Sequence, residues 1–360
     1  MLTSPIRVFD TYTKRCNFDC PQCYFACGNL VDEERRTLEQ TIAILQKFYQ
    51  AGTTEWRFTG GEPLIQPDIF EAIAVAKGLG MNVGLYTNGW WTDRIVGRVL
   101  DVGLDEIVIS LEGRREINDQ RRKAGSFDRA MQSFTRLSEY NRRYPSKKIN
   151  VNIATAVGRD NVSEVEFLAL LAARHGFNIV FMPLKPSGRA RSILQTTMLS
   201  TYEYMAFVRE VQRVREQPEV ANSGIRVILK YKDLFCPDYP DKSGRPFPFN
   251  YSECGALTTA ISMMPDGRVF SCPFVLEADA VGQFMGPNMN EVSVQQAWHH
   301  PNFKSFRNAQ KVNCTDCTYY MRQCRGACRA TVLGYGGEIG DGKLIGEDPQ
   351  CFASLMSKDG

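Results

Sequence analysis

Regular alternation of short apolar strand patterns with amphipathic helical ones constrains this chain most. Strand-like segments fall at 6–12, 55–59, 82–87, 106–110, 149–155 and 178–183. Helical periodicity falls between and after them, at 37–52, 68–78, 92–102, 127–140, 162–174 and 200–216. Local signals mark the ends: Thr37 and Gln40 fit a capping box, and Gly52 fits a C-terminal stop. Six such β-α units imply a parallel sheet covered by helices. Six units suit a partial (β/α)6 TIM-like barrel better than a two-sided sheet, although periodicity alone does not decide between them.

After about residue 220 the texture changes. The stretch "FCPDYPDKSGRPFPFNYSEC" (235–254) is rich in Pro and Gly, and eight of the twelve cysteines lie from Cys236 onward. A chain of 360 residues is long for one core. The expectation is a barrel over 1–220 and a small, loop-rich, cysteine-dense domain over 221–360 that metal holds together.

Composition narrows the function. With 43% apolar and 23% charged residues and a net charge of +3, this is an ordinary globular chain without the basic field that nucleic acid demands. No apolar run reaches membrane-spanning length, and the N-terminus lacks the pattern of a secretory signal. A cytoplasmic protein away from the membrane is expected. There thiols stay reduced, so twelve cysteines point to metal ligation or redox chemistry rather than disulfides. The three histidines, His175, His299 and His300, argue against a His-rich zinc centre.

The densest chemistry is "CNFDCPQCYFAC", with Cys16, Cys20, Cys23 and Cys27 in twelve residues. The first three stand at helical spacing, but Pro21 would clash with the preceding turn and remove a donor. A loop after the first strand, in which three thiolates converge, is the better reading. A zinc site and a plain cysteine-rich loop stay open as alternatives.

The Cys16-x3-Cys20-x2-Cys23 spacing resembles the cluster motif of the radical S-adenosylmethionine (radical SAM) enzymes. The resemblance implies a 4Fe–4S cluster held by three thiolates, with one iron left for the amino and carboxylate groups of SAM. One electron then splits SAM, and the resulting 5′-deoxyadenosyl radical takes a hydrogen from the substrate. "TGGEP" (59–63), at the end of the second strand, is similar to the family's stretch for the SAM amino group. That role passes to Gly60, Gly61, Glu62 and Pro63. "YTNG" (86–89) and "SLEG" (110–113) end the next two strands. They put Asn88 at the cofactor and Ser110 at a ribose-contacting position. Arg122, or its neighbour Arg121, is the candidate for the SAM carboxylate. The family usually has an aromatic residue before the third cysteine; here Gln22 stands there, and Tyr24 takes the adenine contact. In "KPSGRARS" (185–192), Arg189 faces either SAM and substrate or solvent at a turn. Cys27 is expected to pack as a small buried hydrophobe.

The later cysteines resemble the SPASM extension of the family, which implies two auxiliary iron–sulfur clusters. The matching order is one cysteine, Gly267-x4-Cys272, Cys314-x2-Cys317, Cys324-x3-Cys328 and Cys351. Six residues separate Cys317 from Cys324 where five are usual. By that pattern Cys314, Cys317, Cys324 and Cys351 ligate an outer cluster. Cys254, Cys272 and Cys328 hold an inner one, with Cys236 as its fourth ligand or, instead, a hydrogen donor to a substrate radical. Structural zinc is the alternative for this field.

The resemblance implies an enzyme reduced by flavodoxin or ferredoxin. Peptide maturation by cross-linking, epimerisation or oxidation is the first expectation. Because only fifteen residues precede Cys16, a separate recognition protein would have to present the peptide. The alternatives are a dehydrogenase or epimerase of a small carbohydrate of the aminoglycoside type, and a non-catalytic iron–sulfur electron carrier. "TGGEP" speaks against the carrier, which has no use for a SAM site.

Overall fold

The computed structural model describes residues 2–29, 34–230, 255–275, 282–311, 314, 328–340 and 343–351. Cys236, Cys254, Cys317 and Cys324 lie outside the described residues. The six expected strands form as β1 (Arg7–Thr13), β2 (Glu55–Gly60), β3 (Asn82–Thr87), β4 (Glu106–Ser110), β5 (Asn150–Val157) and β6 (Asn178–Pro183). They lie side by side in chain order, every neighbouring pair parallel. Most strand positions are buried, six of the eight in β5, as expected where helices cover a parallel sheet.

The connecting helices are α1 (Leu38–Gln50), α2 (Ile69–Gly78), α3 (Asp93–Asp101), α4 (Arg115–Arg121), α5 (Ser126–Arg143), α6 (Val165–His175), α7 (Leu194–Thr197) and α8 (Thr201–Glu216). The capping box at α1 is present in both directions, Thr37 to the Gln40 backbone and Gln40 to the Thr37 backbone. Gly52 just past it takes φ +95°, the left-handed conformation that ends a helix cheaply only at glycine.

The sheet runs beyond the six expected strands at both edges. A seventh parallel strand, β7 (Val227–Leu229), adds to β6. On the other side β8 (Ala260–Met263) pairs parallel with β1, Arg7 opposite Ala260, and β9 (Arg268–Phe270) and β10 (Met285–Asn288) follow antiparallel. These strands are three or four residues long, too short to show a period in sequence. Gly267 forms the β8–β9 turn at φ +94°, its N–H donating to Met264 O at 3.0 Å. The cysteine-rich part of the chain therefore begins as an extension of the barrel sheet. Among the described residues β7 and β10 are the open edges, so this is an α/β partial barrel.

One buried ion pair ties these parts together. Arg36 binds both Asp10 oxygens, at 2.6 and 2.5 Å, with both side chains fully buried. Its other nitrogens reach Thr41 and the carbonyls of Met264 and Pro265, while Trp56 Nε1 donates to Asp10.

Candidate functional site

The strands β1–β6 share one C-terminal edge, where the loops of parallel barrels carry sites. β1 ends at Thr13, and the chain then enters the cysteine loop. Cys16 N–H donates to Gly28 O at 3.0 Å, and Gly28 N–H donates to Lys14 O at 3.2 Å. The segment 16–28 thus leaves and returns to one point; it is a loop, as Pro21 required. Cys16 and Cys27 are buried, and Cys20 and Cys23 half-buried, among Phe18, Phe25 and Phe270.

Backbone donors already face two sulfurs. Phe18 N–H points to Cys16 Sγ at 3.4 Å, and Cys27 N–H to Cys23 Sγ at 3.4 Å. Burial pushes the Cys16 thiol up to about 12, and burial also raises Cys20. A hydrogen bond from the Cys27 thiol lowers Cys23 to about 6, and the same bond raises Cys27. Cys27 is therefore the thiol that keeps its proton, and Cys23 the one that readily gives it up.

Two loops grip this one through backbone contacts. After β2, Gly61 N–H donates to Thr13 O at 2.7 Å and Glu62 N–H to Arg15 O at 3.0 Å. A Cβ on Gly61 would stand 2.1 Å from Arg15 O, so only glycine allows the approach. After β6, Arg189 N–H donates to Cys23 O, Arg189 Nε to Cys20 O and Ser187 Oγ to Tyr24 O, each at 2.9 Å. Gly188 has φ +60°, and a Cβ there would meet Cys23 O at 2.3 Å.

The carboxylates at the rim are both held. Glu62 is buried and accepts from Asn88 N–H at 2.7 Å, from the Thr87 hydroxyl and from Leu64 N–H. Burial raises it to about 7 against those donors. Pro63 opens a one-turn helix that Glu62 caps. Glu112 accepts from Arg122 at 3.2 Å and from Ala156 N–H at 3.1 Å. Asn88 Nδ2 donates to Asn17 Oδ1 at 2.7 Å, joining the end of β3 to the cysteine loop. Ser110 is half-buried at the end of β4. Tyr24 packs on Phe274 at 4.7 Å; burial raises its phenol while a hydrogen bond with Thr59 opposes that.

The structure thus brings Glu62, Arg122 and Arg189 within electrostatic reach of the thiols, packs Gly60 and Gly61 on the backbone of Thr13 and Arg15 that leads into the loop, and joins Asn88 to the loop through Asn17. Sequence reasoning missed Asn17, Thr87, Glu112, Ser187 and Phe274. Asn17, Thr87, Glu112 and Ser187 lay inside the stretches "CNFDCPQCYFAC", "YTNG", "SLEG" and "KPSGRARS" without being singled out there, and Phe274 lay outside them all.

Of the later cysteines, Cys272 follows β9, and its flanking Phe270 and Phe274 touch Phe25 and Tyr24. Cys328 precedes the helix Arg329–Gly334. Burial pushes its thiol up, but the Lys185 ammonium and hydrogen bonds from Thr331 outweigh that and the net direction is down. Lys185 Nζ donates to Thr331 Oγ1 at 3.0 Å. Cys314 is half-buried and Cys351 exposed.

The residues fit a cluster and an anionic cofactor group better than a single ion. Among the described residues, no three His, Cys, Asp or Glu side chains close on one point as ligands of one metal ion do. A cubane offers each thiolate its own iron. Buried polar atoms around the thiols, Arg122 Nε, Arg189 Nη2 and Gln22 Oε1, have no hydrogen-bond partner among the described residues. Two of the three are cationic donors, suited to a carboxylate.

Comparison with known proteins agrees. The radical SAM superfamily model matches residues 11–172, and the SPASM iron–sulfur cluster-binding domain matches 254–318. The mycofactocin maturase MftC of Mycobacterium tuberculosis is 28% identical over 97% of this chain and 83% of its own length. The PqqA peptide cyclase of Gluconobacter oxydans is 25% identical over 97% and 91%. Streptococcus suis SuiB bound to S-adenosylmethionine superposes with a TM-score of 0.75 at 15% identity, over 97% of this chain and 78% of that one, and shares the fold. The chain belongs to the radical SAM superfamily: it is an enzyme of S-adenosylmethionine and 4Fe–4S clusters, with a SPASM domain following its barrel.

Proposed function

We propose that this enzyme modifies a peptide by radical chemistry, as a maturase that cross-links, epimerises or oxidises residues of a precursor. The observation that carries this reading is the 97% coverage shared with relatives named as a maturase and a peptide cyclase. Cys16, Cys20 and Cys23 hold the SAM-binding cluster, and Cys27 hydrogen-bonds Cys23 without ligating. When bound, cluster and cofactor together supply a one-electron cleavage and a radical that abstracts a substrate hydrogen.

The chain's own residues do the holding. The Gly60–Pro63 stretch and Glu62 receive the SAM amino group, Arg122 and Arg189 its carboxylate side, and Asn88, Ser110 and Tyr24 the nucleoside. Support for these roles is the unpartnered Arg122 and Arg189 nitrogens and the burial of Glu62. The Phe18, Phe25 and Phe270 cluster excludes water around the thiols. Cys254, Cys272, Cys328 and Cys236 hold an inner auxiliary cluster, and Cys314, Cys317, Cys324 and Cys351 an outer one. Flavodoxin or ferredoxin supplies the electron, as the family resemblance implies, and a separate recognition protein presents the peptide. Among the described residues no helix is long and apolar enough to cross a membrane, which accords with a cytoplasmic site of action.

The test is anaerobic reconstitution followed by SAM, dithionite and candidate precursor peptides, with 5′-deoxyadenosine and peptide mass both read by mass spectrometry. Nucleoside release that Cys23→Ala abolishes, with a mass shift in one peptide, is the expected result. Release with no peptide altered and a sugar substrate consumed would overturn the peptide reading.

A further inference from the structure

Two exposed cations stand over the aromatic cover of Cys16. Lys123 Nζ lies 5.1 Å from the Trp90 ring and 5.7 Å from the Phe18 ring, and donates to Asn17 O at 3.1 Å. Arg129 lies over the same indole at 5.6 Å. Neither has a carboxylate within ion-pair distance among the described residues; Arg129 meets only Gln132 Oε1, at 3.4 Å. The acids nearby are already engaged. Asp128 pairs with Arg115, Asp119 accepts from the Gly125 and Phe127 N–H groups and from Ser126, and Glu112 holds Arg122. Lys123 and Arg129 are therefore two exposed positive charges with no ion-pair partner among the described residues.

Beneath it the path to sulfur is short and apolar. Trp90 and Phe18 meet edge to face with centroids 5.6 Å apart. Phe18 is buried, and its own N–H points to Cys16 Sγ at 3.4 Å. Indole, phenyl ring and thiol form one contact chain from solvent to the cysteine loop.

We propose that the Lys123–Arg129–Trp90 face is the docking site for an acidic one-electron carrier protein, which reduces the Cys16-held cluster across Trp90 and Phe18. The proposal rests on the radical SAM reading of the loop. The carrier loses one electron and the cluster gains one; no bond to the protein forms or breaks. Paired charges on a surface give little attraction, but unpaired ones of a single sign steer an oppositely charged partner and set its orientation.

The experiment compares two reductants on the reconstituted enzyme with SAM bound. Reduced flavodoxin and reduced ferredoxin are each mixed with the wild type and with the variant K123E/R129E. The reduced-cluster signal is followed by rapid-freeze electron paramagnetic resonance, and dithionite serves as the small reductant. The expected result is about a tenfold slower reduction of the variant by the better carrier at low salt, as for charge changes that act on encounter. The gap should narrow at high salt. Dithionite-driven reduction and 5′-deoxyadenosine release should match the wild type. The neutral pair K123Q/R129Q should fall in between. Equal carrier rates in all three proteins would overturn the proposal. So would a loss of the dithionite-driven signal, which would put these residues in the cluster site, or a raised KM for peptide with dithionite, which would make the face a substrate surface. Wild type that forms no 5′-deoxyadenosine with dithionite would instead sink the radical SAM reading of the loop.

Discussion

Arg189 donates from Nε to Cys20 O and from its backbone N–H to Cys23 O, both at 2.9 Å. One residue in the turn after β6 thus holds two of the cysteine-bearing turns of a loop that follows β1. Replacing it by alanine separates the two contacts, because the backbone N–H to Cys23 O stays. Arg189→Ala should cost about 1–2 kcal/mol, a charged hydrogen bond discounted for partial exposure. It should lower the thermal midpoint of the cluster-free protein modestly. It should also change the SAM-induced shift of the reduced-cluster electron paramagnetic resonance signal. Unchanged spectra with wild-type SAM affinity would show that the side chain positions nothing.

Glu62 carries a pH prediction. Its carboxyl sits at about 7 because burial disfavours the charge. A carboxylate accepts from the N–H groups of the cofactor's amino group better than a carboxylic acid does. SAM affinity should therefore weaken as pH falls through about 7 and level off above it. Glu62→Gln should flatten the profile near its low-pH value. Equilibrium binding of SAM to the oxidised enzyme, measured without reductant, checks this. A flat wild-type profile from pH 6 to pH 8, roughly a unit either side, would remove Glu62 from cofactor binding.

The barrel was legible because its signals are local. Period, caps and strand-end motifs all sit within ten or so residues of what they specify, and Thr37–Gln40 or "TGGEP" can be read in place. The rest depends on distant pairings. Arg7 opposite Ala260, Arg36 on Asp10 and Met264, and Ser187 on Tyr24 join segments whose local sequence says nothing of a partner. The cysteine-rich part hid its strands for the same reason: β8–β10 are stable as an extension of β1, not by their own length. The resemblance of Cys16, Cys20 and Cys23 to the radical SAM motif could be read in place, whereas the bond that sets Cys27 apart from Cys23 required the fold.

Cys27 is the fourth thiol of the loop, and its role separates ligand from neighbour. It is buried among Phe18, Phe25 and Phe270 and shares a hydrogen bond with Cys23. Cys27→Ala should keep the SAM-site cluster and its cleavage chemistry while losing about 1 kcal/mol of stability to the small cavity. Cys23→Ala should lose the cluster. Iron analysis after reconstitution measures the difference: about 12 irons per chain for wild type and Cys27→Ala, and about eight for Cys23→Ala, on a count of four per cubane. Iron that drops equally in both would make Cys27 a ligand.

The buried pair of Arg36 and Asp10 predicts how far the C-terminal segment depends on the barrel. Burial pushes the Asp10 carboxyl above its ordinary value even against the Arg36 charge, so the site tolerates the carboxylate only while the guanidinium stays. Arg36→Met leaves that acid unpaired and should cost about 3–5 kcal/mol. Asp10→Asn in the same chain should recover part of the loss, because the remaining amide needs no counter-charge. In both variants the carbonyls of Met264 and Pro265 lose the guanidinium and keep only their backbone donors, Gly267 N–H and the N–H of residue 36. Hydrogen exchange should therefore rise across the β8–β9 turn in Arg36→Met and stay raised in the double variant, even where global stability returns. Exchange confined to the barrel, with 260–270 unaffected, would show that β8 holds to β1 by its ladder alone.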